Sequence, residues 1–205
     1  MSFVTYFIVG TVVCFAGTLP FGPINLAVVK VTVDKNHLRG FEVALAASVV
    51  EIFQALIAVW FGMAISRFLD GNTVFKFLVA GAFLLLAAII WTRKPSEYKA
   101  GADDLAGSGI KTGLLVAILN PQVIPFWIFA LAAINQYTTL HYEGANLAGF
   151  LAGVFLGKLL ALSGFVAVSR YLKAHLQQSS QIVNRLLAIV LCFIGVTQLA
   201  RIVLA

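Results

Sequence analysis

The chain has 205 residues, of which 61% are hydrophobic and 11% charged, with a formal net charge of +6. Soluble domains are about 45–50% apolar, so this balance excludes an ordinary one, and no segment is long and polar enough to form a soluble domain of its own. The positive residues lie scattered in connections rather than on one basic face, which fits anionic lipid headgroups and not nucleic acid.

Met1–Val29 and Thr112–Tyr142 contain no acidic or basic residue, and Glu51 and Lys158 are the interruptions in Val43–Ser66 and Ala145–Ser169. About 20 apolar residues in a helix cross roughly 30 Å of hydrocarbon. The chain is therefore predicted to be all-α, a polytopic membrane protein with six transmembrane helices. The predicted spans are Tyr6–Val28, Val43–Ser66, Thr73–Thr92, Thr112–Ile134, Ala145–Ser169 and Ile182–Val203. A β-barrel is excluded because stretches such as Phe83–Ile90 lack strand alternation. The first apolar run has no basic segment before it and continues past any cleavage point, so it reads as a retained helix.

The first helix is broken by LPFGPINL, which carries Pro20, Gly22, Pro23 and Asn25. Proline removes a helical hydrogen bond and clashes with the carbonyl one turn back, and glycine lets backbones come close. The carbonyls freed at this break and at the matching one in the fourth helix need donors, and Asn25 and Asn120 are the nearest side chains able to supply them. The second helix carries Glu51, with Gln54 close to one turn beyond it. The fourth helix repeats the break with ILNPQVIPFW, which holds Asn120, Pro121, Pro125 and Trp127. The fifth carries Lys158 and the evenly spaced Gly149, Gly153 and Gly157, a small-residue face suited to close helix contact. Ala44, Ala47 and Ser48 give the second helix a comparable surface, and the broken helices are expected to pack on these two faces. Cys14 and Cys192 read as packing residues, and Trp60, Trp91 and Trp127 as interfacial anchors or packing residues, with Trp127 set apart because it immediately follows the second broken segment.

Lys30, Lys35, Arg39, Arg93, Lys94, Lys99, Lys111, Arg170, Lys173 and Arg185 fall in the odd connections, against Arg67, Lys76 and Arg201 on the other side. The inside-positive bias puts the odd connections in the cytoplasm and both termini outside it. The chain reads as a single transmembrane domain, 1–205, with repeat halves of about 1–92 and 112–205 joined by a cytoplasmic linker, 93–111. Three spans per half is an odd number, so the halves would run in opposite senses, the inverted repeat that many secondary carriers use.

Buried charge in a membrane is costly, faces the interior and finds a partner. Counted from opposite surfaces, Glu51 and Lys158 reach similar depths. They could form a static pair between helices two and five, or one that opens in a transport cycle; Glu51 could alternatively take a substrate ammonium or a proton. The substrate-path candidates are thus Pro20, Gly22, Pro23, Asn25, Glu51, Gln54, Asn120, Pro121, Pro125 and Lys158. No catalytic constellation, metal cluster or cofactor motif stands out. The missing P-loop argues against ATP bound to this chain and leaves secondary transport. A non-transporting assembly or partner protein and an inorganic-ion carrier are the competing readings.

These motifs resemble the lysine-exporter (LysE/RhtB-like) superfamily of bacterial amino-acid exporters over essentially the whole chain. The resemblance rests on Pro20-Phe21-Gly22-Pro23 followed by INLAVVKVTVDKNHLRG, on IKTGLLVAILNPQVIPFW, and on the long hydrophilic third connection. Phe21 separates the usual Pro-Gly-Pro, and Gln122 stands where the family has lysine. The resemblance implies a bacterial inner-membrane exporter of amino acids, working by exchange with protons or on the membrane potential. It maps Gly22, Pro23, Asn120 and Pro121 onto the family motifs. Association into a homodimer fits a small carrier, with no interface marked in the sequence.

Overall fold

The backbone breaks beside both proline pairs. The computed structural model describes residues 2–19, 22–69, 108–120, 122–135 and 140–171, with individual helical positions between 77 and 92 and between 185 and 200. Helix α1 spans Phe3–Thr18, and α2 spans Pro23–Asp34. Gly22 caps α2 in an extended conformation and Pro23 opens it, where a missing N–H costs nothing and a fixed φ is already helical. The axes of α1 and α2 are bent by 74°. Pro20 and Phe21, within the break, lie outside the described residues.

Helix α3 runs over His37–Leu69. It begins six residues before the predicted Val43, and the first connection shrinks accordingly. The reason is local: Asn36 Oδ1 accepts the Arg39 N–H at 2.9 Å, a helix cap that charged neighbours do not oppose. Helix α4 spans Gly109–Ile118 and α5 spans Val123–Asn135, the two pieces of the second broken segment. Pro121 lies outside the described residues, and Pro125 belongs to α5. Helix α6 spans Gly144–Ala167 and starts at a glycine with φ of 50°, in the left-handed region that favours glycine.

The described residues are helical or irregular, with no strand among them. The His37–Gly62 part of α3 and the whole of α6 are each long and apolar enough to cross a membrane, and α1 with α2 makes a third, bent candidate. Helix α3 has an apolar inner face, with Val43, Ala47, Ala55 and Ala58 fully buried. Its outer face is also apolar, with Phe41, Leu45, Val49, Phe53 and Ile57 exposed at helical spacing. A continuous apolar stripe on the outside is what lipid requires and water opposes.

The chain divides into two units, Met1–Gly62 with Tyr98–His175 and Met63–Glu97 with Leu176–Ala205. In the second, which holds most of the third and sixth predicted spans, the Arg185 guanidinium lies over the Trp91 ring, 5.9 Å from its centroid. The linker 93–107 lies outside the described residues.

In the first unit α1 packs along α6 through glycine. A Cβ on Gly149 would sit 2.8 Å from the Phe3 carbonyl oxygen, and one on Gly153 or Gly157 would collide with the Phe7 or Thr11 carbonyl. Gly10 of α1 meets the Phe150 carbonyl in the same way. On the other side α4 packs on α3, where a Cβ on Gly113 would lie 2.6 Å from the Val43 carbonyl and 2.8 Å from the Ala46 Cβ. Each broken helix therefore packs on a helix from the opposite half of the chain: α1 on the glycine face of α6, and α4, through its own Gly109 and Gly113, on Arg39, Glu42, Val43 and Ala46 of α3, where Ala44, Ala47 and Ser48 were the expected face.

This contrast is testable on one helix. Gly153→Ala is expected to lower stability by about 1–3 kcal/mol through overpacking. Gly164, with nothing within 4 Å of a Cβ, should accept alanine with no loss or a small gain. Thermal unfolding of the two variants in detergent checks the difference.

Candidate functional site

Helices α3, α5 and α6 each send a polar side chain into the apolar interior. Lys158 Nζ lies 2.9 Å from Glu51 Oε2, and the two residues are only 5% and 3% exposed. The second carboxylate oxygen, Oε1, accepts the indole N–H of Trp127 at 2.9 Å. Both oxygens of Glu51 are thereby engaged by charged or polar donors, which is what keeps a buried carboxylate tolerable. Trp127 is fully buried, unlike the exposed Trp60 and Trp91. Its position two residues after Pro125 places it on the first turns of α5, beside the second break.

The broken helices are mended by side chains. Asn25 Nδ2 donates to the Thr18 carbonyl at 2.7 Å, filling the acceptor that the end of α1 leaves open. In the second half the same need is met differently. The Ala117 carbonyl, near the end of α4, accepts Gln54 Nε2 at 3.0 Å and the Asn120 N–H at 3.2 Å. Asn120 contributes an acceptor rather than the expected donor, since its Oδ1 takes the Gln122 N–H at 3.2 Å. Gln54 Oε1 is buried and has no hydrogen-bond partner among the described residues.

An aromatic chain extends from the pair. The Trp127 ring meets Phe150 edge-on at 5.5 Å, Phe150 meets Tyr142 at 5.0 Å, and Tyr142 meets Tyr6 at 5.7 Å. Tyr6 OH accepts the His141 N–H at 2.8 Å, tying α1 to the segment before α6. Burial, with Tyr6 beside it, pushes the Tyr142 phenol up from its ordinary value, so it stays protonated.

Of the sequence candidates, Glu51 and Lys158 form the pair directly, and Gln54 and Asn120 share the Ala117 carbonyl. Asn25, Gly22 and Pro23 belong to the first break, with Asn25 1% exposed and in contact with the end of α1. Pro20 and Pro121 lie outside the described residues, and no side-chain position is described for Pro125. Glu42 was not anticipated. Its Oε2 accepts the Gly109 N–H at 3.0 Å, a carboxylate on the N-terminus of α4, while Arg39 Nη1 donates to both of its oxygens. Its one signal in the sequence was an acid beside a basic connection. Cys192, read as packed, is exposed. Among the described residues no group of three or more His, Cys, Asp or Glu side chains is placed to hold a metal ion.

Trp127→Phe keeps the ring contact with Phe150 and removes the donor to Glu51. A lost hydrogen bond to a charged group costs about 1.5–3 kcal/mol, which should appear as a lowered unfolding midpoint. Trp60→Phe, at an exposed position, should shift stability by less than about 0.5 kcal/mol.

No curated protein and no solved structure matches the chain. The family model described as LysE type translocator matches residues 15–201, from the last turn of α1 to the last residues of the sixth predicted span. That match takes in both broken segments and the helices bearing Glu51 and Lys158, and the chain is a membrane protein belonging to the LysE type translocator family.

Proposed function

We propose that this chain is a secondary active exporter of amino acids or similar small polar metabolites across the bacterial inner membrane. Six spans form two inverted three-helix halves, with both termini outside the cytoplasm, and transport is driven by protons or by the membrane potential. The observation that carries the reading is the Glu51–Lys158 pair. A buried ion pair joins the second helix of one half to the second helix of the other, with a broken helix of each half packed beside it. Opened helices in carriers expose carbonyls and amide dipoles to a ligand at mid-membrane. The packing of each half's broken helix against a helix of the other half supports the inverted arrangement.

Within this reading Glu51 and Lys158 bind the solute's charges, while Gln54 and Asn120 hold the end of α4 open beside them. Asn25 keeps the first break in shape. Gly22 and Pro23 set where α2 begins, and Pro20, Pro121 and Pro125 prevent either break from closing into continuous helix. Coupling to protons would run through Glu51, the one buried carboxylate among the described residues.

Counterflow in liposomes loaded with radiolabelled amino acids tests this. Saturable counterflow of at least one amino acid is expected from the wild-type protein. Glu51→Gln with Lys158→Met, which removes both charges together, should fold and carry nothing, since a buried pair is replaceable without loss of stability. Normal transport by that double variant would remove both charges from the mechanism. Asn120→Leu should lower transport per folded molecule by about five- to hundredfold, the equivalent of about 1–3 kcal/mol for an unpaired buried polar group.

A further inference from the structure

We infer that the Glu51–Lys158 pair is a stand-in for the solute itself, and that the site selects small zwitterions of zero net charge, with an ammonium and a carboxylate on neighbouring atoms. This rests on the exporter reading and narrows its substrate.

Among the described residues Glu51 is the one buried carboxylate and Lys158 the one buried ammonium, so the described interior is electrically neutral. A solute bringing one charge would have to displace one partner and leave the other uncompensated in an apolar surrounding. A zwitterion leaves neither alone: its ammonium takes the place of Lys158 on Glu51, and its carboxylate takes the place of Glu51 on Lys158. One ion pair becomes two, and the net charge of the interior does not change.

The two partners are unequally anchored. Glu51 Oε1 is held by the Trp127 indole at 2.9 Å, so the carboxylate is fixed in place. Lys158 carries its ammonium on a flexible four-carbon stem and can swing aside. Their 2.9 Å contact leaves the least room for a solute whose charges are far apart and suits one whose charges are adjacent.

A separate observation points to the ammonium side. Gln54, one turn along α3 from Glu51, is 7% exposed, and its Oε1 has no partner among the described residues although its Nε2 is fixed on the Ala117 carbonyl. An ammonium has three N–H donors, more than Glu51 alone can accept while it holds Trp127. Gln54 Oε1 supplies a further acceptor on the same helix face. For a cationic side chain the described interior offers no second carboxylate: Glu42 is engaged by Arg39 and Gly109.

The experiment is competition in wild-type proteoliposomes, with counterflow of each neutral amino acid as readout. For leucine the competitors are isopentylamine, which lacks the carboxylate, 4-methylpentanoate, which lacks the ammonium, and lysine, which adds a charge. The neutral amino acid should compete about a hundredfold better than any of these, the equivalent of the penalty for one unpaired buried charge. Lys158→Met should then reverse the order and favour the amine, a change a purely structural pair would not produce. Equal competition by amine or acid, or preference for lysine over every neutral amino acid, overturns the inference and leaves the exporter reading in place. Silence with all amino acids overturns both. If Lys158→Met yields no folded protein, the wild-type competition decides alone.

Discussion

Two opposite charges in an apolar interior can persist only in contact, and this requirement fixes the helices that bear them. Glu51 and Lys158 sit midway along α3 and α6, so their 2.9 Å contact sets both the depth and the rotation of one helix against the other. Either charge alone would be costly enough to neutralise itself or unfold its surroundings. Trp127 adds α5 to the arrangement through the second carboxylate oxygen. Three helices from distant parts of the sequence are therefore registered by one carboxylate. The aromatic chain from Trp127 to Tyr6 then extends that registration to α1.

The breaks pose a second constraint, because a carbonyl freed in an apolar medium needs a donor. The two halves meet it by different means. At the end of α1 the donor comes from the same broken segment, Asn25, seven residues on from Thr18. At the end of α4 it comes from another helix, Gln54 of α3. The first solution makes the break self-contained. The second ties the shape of α4 to the position of the helix that also carries Glu51.

Much of this was legible in the sequence wherever a physical cost left a local mark. Paired prolines marked the breaks, the spacing of Gly149, Gly153 and Gly157 marked the close face, and two lone charges in apolar segments marked the pair. Depth counting from opposite surfaces put Glu51 and Lys158 level, and they touch. What escaped the sequence depends on contacts between distant residues. The Trp127 indole reaches a carboxylate 76 positions away, and Glu42 reaches the start of α4 across 67. Nothing local distinguishes a tryptophan that donates to a buried acid from one that anchors at an interface. The start of α3 was misplaced because charge was read as the end of a helix, whereas Asn36 caps it and the helix runs through Arg39 and Glu42.

The packing also determines where such a molecule can move. Along α1 and α6 the contacts are between backbones, with carbonyls lying where a Cβ would be, and side chains cannot absorb sliding there. Along α3 and α4 the contact at Gly113 is of the same kind, reinforced by Gln54 at one end of α4 and Glu42 at the other. These are two tight pairs. Between α3 and α6 the contacts are made by side chains: Lys158 meets Glu51, and Ala55, Ala58 and Val59 share one core cluster with Phe150 and Val154. In the proposed transport cycle the tight pairs would move as bodies, and the side-chain layer between them, ion pair included, is what would have to open and reclose. Under the proposed selectivity, a charge-compensating solute would lower the cost of opening where opening exposes the Glu51 and Lys158 charges.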